Sequence, residues 1–94
     1  MERKQEVAET LALMVLEWLA GQDDLLGVFM GATGSTEADL LNRVSEPEFL
    51  AAILDFMLLD DAWVVAFMSD RDVSAEAILQ ARQALPGGAE THWT

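Results

Sequence analysis

Residues 45–68 read SEPEFLAAILDFMLLDDAWVVAFM and hold the clearest helix start, the longest apolar run and one carboxylate inside that run. Ser45 with Glu48 three residues on is the pattern of a capping box, in which each side chain takes up an amide that the first turn leaves without a partner. Pro47 fits that turn because a donor is not needed there. Beyond it, Phe49, Leu50, Ile53, Leu54, Phe56, Met57, Leu58 and Leu59 leave only Ala51, Ala52 and Asp55 as a narrow, less apolar stripe. A helix so apolar is covered on most sides, and the stretch therefore predicts a central helix over 46–59. Asp60 or Asp61 then caps a further helix over 62–68, with Trp63, Val64, Phe67 and Met68 inward.

Upstream, Val7, Leu11, Met14, Val15 and Trp18 follow the spacing of one buried helix face over 4–20, while Glu6, Thr10 and Glu17 run along another side. Leu13, Leu16 and Leu19 widen the apolar arc. This helix and the one over 46–59 are expected to pack on each other at the centre. Gly21 is placed to end the first helix in a left-handed conformation. A short second helix is expected over 24–32, burying Leu25, Leu26, Val28, Phe29 and Met30 and stopped by Gly34. Thr36 with Asp39 makes a second box, opening a third helix that runs through Val44 with Ala38, Leu40, Leu41 and Val44 inward. Downstream, Ser74 caps a sixth helix over 75–84 that buries Ile78, Leu79, Ala81 and Leu85. Pro86, Gly87 and Gly88 close the fold. The predicted class is all-α: a compact six-helix single domain over residues 1–85, followed by a flexible C-terminal tail over 86–94.

The chain also matches itself at a shift of 38 positions (54 − 16). Leu16, Asp23, Phe29, Met30 and Leu41 fall on identical Leu54, Asp61, Phe67, Met68 and Leu79. Val15 falls on Ile53, Glu17 on Asp55, Trp18 on Phe56, Leu19 on Met57, Thr36 on Ser74, Leu40 on Ile78 and Asn42 on Gln80. The reading is two pseudo-symmetric units, each of one long and two short helices, around the two central helices. A chance match between apolar helices is the competing explanation.

Composition narrows the functions. With 94 residues, 52% of them hydrophobic, the chain buries on the order of 60–65% of its unfolded surface and needs no metal or disulfide to fold. It has no cysteine, which removes disulfides, thiolate zinc sites and a thiol nucleophile and fits a reducing, cytoplasmic setting. The opening MERKQE is charged with both signs and Glu17 interrupts the next apolar run, a poor fit to a signal peptide. No run reaches the roughly 18–20 residues that span a bilayer. The net charge is −12, and Arg3, Lys4, Arg43, Arg71 and Arg82 are scattered, so neither nucleic acid nor an anionic membrane is expected as a partner.

Trp18-Leu19-Ala20, Phe29 before the Thr33-Gly34 corner, Pro47-Glu48-Phe49-Leu50, Leu54-Asp55-Phe56, Asp60-Asp61, Phe67 and Leu85-Pro86-Gly87-Gly88 form a constellation whose specificity lies in order and spacing. In these the chain resembles an uncharacterised bacterial family catalogued as domain of unknown function thirty-five seventy-two. The resemblance covers most of the chain but leaves out residues 70–73 and the tail. It implies a small all-helical protein with no assigned activity, so it supplies no functional residues.

Candidate sites are few. His92, the only histidine, stands in the tail, where a general base is not held against a target. The serines sit where caps or loops explain them, and a triad has no parts. Asp70, Asp72 and Ser74 alternate like the first ligands of a calcium loop. The pattern then fails at Ala75, where glycine is needed, and at Ala81, where a bidentate glutamate is needed. Glu17 and Asp55 would make a coupled carboxylate pair if both faced inward, but their spacing assigns both to exposed sides. Trp63, Trp93 and the methionines Met14, Met30, Met57 and Met68 serve either a partner groove or the core. The expectation is an acidic helical module, not an enzyme, that works through a protein partner or self-association. Its candidate contacts are Trp93 and the Ala51, Ala52, Asp55 stripe or an exposed groove, with no cofactor and no metal. Trp93 is expected to dock on this chain or on a second copy. Two other classes stay open: a carboxylate-based metal-dependent enzyme or metal-binding protein, and an acidic nucleic-acid mimic that binds a basic partner.

Overall fold

Six helices follow one another in the structure, a computed structural model that describes residues 2–86: α1 (Glu2–Ala20), α2 (Leu25–Thr33), α3 (Glu37–Asn42), α4 (Pro47–Leu58), α5 (Asp61–Arg71) and α6 (Ala75–Gln83). There is no strand among the described residues, and the chain is a single all-α domain with a Cα radius of gyration of 12.6 Å. The expected tail, with His92 and Trp93, lies outside the described residues apart from Pro86.

Three helix starts are fixed by the caps their sequences carry. Thr36 Oγ1 accepts from the Asp39 amide at 3.1 Å while the Asp39 carboxylate accepts from the Thr36 amide at 2.9 Å, a complete box. Asp60 accepts from the Ala62 amide at 2.8 Å, and Ser74 from the Ala77 amide at 3.0 Å. The Ser45–Glu48 box does not form. Glu46 is the cap residue, in extended conformation and without a side-chain cap bond, and Pro47 takes the first helical position. A cap at Ser45 would make Glu46 helical, which the ring of a following proline disfavours; placing Pro47 first leaves Glu46 extended instead.

The ends also differ from expectation at one place. Gly21 is not left-handed: its amide bonds to the Trp18 carbonyl at 3.0 Å, and the last turn of α1 simply tightens. The left-handed residues among those described are Gly34 (φ 74°) and Asp72 (φ 55°), which close α2 and α5. Gly34 and Ser35 both donate to the Met30 carbonyl, and Asp72 and Val73 both donate to the Met68 carbonyl. Both pairs satisfy carbonyls that the helix end would otherwise leave open. These paired ends, the hydroxyl caps Thr36 and Ser74, and the ends of α1 at Ala20 and α4 at Leu58 all share the 38-residue shift.

The core lies between α1 and α4. Ala8, Leu11, Ala12, Val15, Trp18 and Leu19 face Phe49, Leu50, Ile53, Leu54, Phe56 and Met57, and Phe29, Phe67 and Ile78 close the cluster from α2, α5 and α6. Phe29 meets Phe49 and Phe56 edge-on, Trp18 meets Phe67 edge-on, and Phe56 stacks on Trp63 at 4.9 Å. Aromatic pairs favour these offset and edge arrangements because ring faces and edges carry opposite partial charge. Several residues expected inward are outside. Val7 (61% exposed), Val28, Leu41 (80% exposed) and Leu79 face solvent, as does Ala38. The buried face of α1 is centred one position later than expected, on Ala8 and Ala12, because these small residues let α4 and α6 approach closely. α6 lies along α1 as extensively as α4 does, whereas α3 has no fully buried residue.

Candidate interaction surface

Three pairs of polar side chains join helices on the described surface, Trp18 with Asp70, Arg71 with Glu17 and Arg82 with Asp55. The Trp18 indole N–H, buried within the core, donates to Asp70 at 2.8 Å, and beside it Arg71 pairs with Glu17 at 3.3 Å. The last turns of α1 and α5 are thus joined by one charge-assisted hydrogen bond and one solvent-screened ion pair. Arg82 donates from Nε and Nη2 to both oxygens of Asp55, and from Nη1 to the Pro86 carbonyl at 3.0 Å, so one guanidinium ties α4 to the end of α6. Its planar fork suits this two-pronged contact in a way that a lysine ammonium does not. Arg43 pairs with Glu46 at 2.9 Å and lies over the Phe49 ring.

These contacts decide several sequence expectations. Glu17 and Asp55 are both exposed, and each meets a different arginine, so they do not form a carboxylate pair. Of the calcium-like residues, Asp70 receives the Trp18 indole, Asp72 is the left-handed end of α5 and Ser74 caps α6. No group of three or more Asp, Glu or His side chains able to hold a metal ion occurs among the described residues. The stripe of α4 is divided: Ala51 is buried in the core, Ala52 is half-buried and Asp55 is exposed. Only Ala52 and Asp55 border a surface groove, a shallow one of about 230 Å³ shared with Ala32, Thr33, Phe56 and Leu59. Ala51 cannot meet a partner there, since it is buried in the core.

The larger groove, about 1060 Å³, runs between α1 and α6. Val7, Leu11 and Met14 form one wall, Val73, Ala77 and Ala81 the other, and Arg3 and Lys4 stand at one end. α6 starts four positions after Arg71, where Asp70 and Arg71 fasten the last turn of α5 to that of α1, and it runs back toward the first turns of α1. Small residues on α6 and at its end line the trough: Ala77, Ala81 and the C-cap residue Ala84 leave room that larger side chains would fill. Sequence periodicity missed this site because its walls are some seventy positions apart; the visible signals were the apolar excess on α1 and the repeated alanines of α6. No helix among the described residues is long and apolar enough to cross a membrane.

The family described as Protein of unknown function (DUF3572) matches residues 5–88, and the chain belongs to it. The match runs through residues 70–73, which the resemblance read from the sequence left out. No curated protein and no solved structure matches the chain.

Proposed function

We propose that this member of the family is a small acidic helical interaction module, without catalytic machinery, that receives another polypeptide segment in the groove between α1 and α6. The observation that carries the reading is the groove itself: a trough of about 1060 Å³ walled by Val7, Leu11, Met14, Val73, Ala77 and Ala81. Apolar troughs between helices take amphipathic or extended segments through anchors that fill them. Asp70 and Asp55 are engaged in joining helices and Ser74 in capping α6, which supports a structural use of these groups. A chain without cysteine fits work in the reducing cytoplasm.

The test is localisation of an apolar probe. An anilinonaphthalene sulfonate dye added to the full, isotopically labelled chain is expected to shift the amide signals of Val7, Leu11, Met14, Ala77 and Ala81 ahead of those on α3 and α5. Shifts spread evenly over the molecule, or confined to α2 and α3, would contradict the reading.

A further inference from the structure

We infer that the groove has a resident occupant, the chain's own residues 87–94, and that Trp93 fills it until a partner displaces it. This rests on the reading of the groove as a docking surface. The described chain stops at Pro86, two residues beyond Ala84, which lines the groove. Arg82 holds the Pro86 carbonyl, so the eight residues that follow (94 − 86) start from a fixed point at the end of α6. Extended, eight residues reach about 26 Å. The groove wall from Arg3 to Met14 is about 16 Å long at helical rise, so Trp93 reaches any part of it.

Chemistry matches along that path. Three of the five basic side chains pair with carboxylates of the fold, namely Arg43, Arg71 and Arg82. The other two, Arg3 and Lys4, stand at the groove's end and face a segment whose one carboxylate side chain is Glu90. Glu90 brings one carboxylate toward these two cations, while the lining carboxylate, Asp72, stands beside Val73 at the other end of the groove. The indole supplies an apolar surface of order 150–250 Å², and Val7 and Met14 offer matching apolar surface on the α1 wall. A second copy of the chain would bring the rest of its acidic surface against this one, which opposes it as the first occupant.

The absence of cysteine makes a clean test possible. A nitroxide is attached to full-length Gln80→Cys, in the groove, and separately to Glu37→Cys on α3, and the indole N–H signals of Trp18, Trp63 and Trp93 are followed. The inference expects the Trp93 signal to lose most of its intensity with the label at position 80, to regain it on reduction of the nitroxide, and to stay strong with the label at position 37. Trp18 and Trp63 report that each variant is folded. A Trp93 signal unaffected by the label at position 80 overturns the inference. So does broadening seen only when labelled and isotopically enriched chains are mixed, which would make the occupant a second copy. If Trp93 is unaffected yet the dye still maps to α1 and α6, the groove stands and the tail is not its occupant; if the dye fails to map there as well, both readings fall.

Discussion

Gly34 and Asp72 occupy equivalent left-handed positions at the ends of α2 and α5. Glycine adopts that backbone without a Cβ penalty, while an aspartate carries a steric cost and also sets a negative charge at the negative end of a helix dipole. Asp72→Gly is therefore expected to raise stability by about 0.5–1 kcal/mol, and Gly34→Ala to lower it by about 1 kcal/mol. Denaturant midpoints of the two variants check this; an unchanged or lower midpoint for Asp72→Gly would contradict it. Features of this local kind were the most legible in the sequence. Thr36, Asp60 and Ser74 cap as read because a cap needs only a short side chain and an amide two or three residues away. Ser45 was misread because two local signals competed and the backbone restriction before Pro47 is the stiffer one.

At the scale of elements, α4 is the helix around which the others are arranged, and Leu54 is fully buried at its crossing with α1. Leu54→Ala is expected to cost roughly 2–5 kcal/mol, because the removed methyl groups leave a cavity that rigid neighbours fill only in part. Leu79→Ser, on the solvent side of α6, is expected to stay within about 0.5 kcal/mol of the unmodified chain. Thermal unfolding followed by circular dichroism separates the two; equal melting temperatures would mean that the core is misplaced. The contrast between these leucines shows the limit of periodicity. Spacing gives the presence and width of an apolar arc, but the centre of the arc depends on which neighbour arrives. Leu41 and Leu79, identical under the 38-residue shift, both lie outside, and Val7 gives way to Ala8. The shift itself holds for element order, for the ends of the first two helices of each unit, for the caps Thr36 and Ser74, and for Phe29 and Phe67, which are both fully buried. It fails in the third helix of each unit: α6 packs along α1, while α3 makes no comparable contact with α4.

That asymmetry of the whole molecule creates the groove. α3 ends after six residues, but α6 continues for nine and lies along α1, leaving between them a trough that no other described element covers. The all-α class, the six helices and the central pair were readable, since each follows from caps and apolar density within one stretch of chain. The groove was not, because it depends on two helices from opposite ends of the sequence and on small alanines that carry little signal alone. Within the α4 stripe Ala51 alone is buried, since a small residue fits the core as readily as an open face, while Ala52 and Asp55 reach the surface. The most direct measurement compares dye binding by the full chain, by Ala77→Arg in the groove and by Val65→Arg on exposed α5, each first checked for an unchanged circular dichroism spectrum and melting curve. If the groove is the docking surface, Ala77→Arg binds at least several-fold more weakly while Val65→Arg binds as the unmodified chain does; equal binding by all three, or loss only in Val65→Arg, contradicts it.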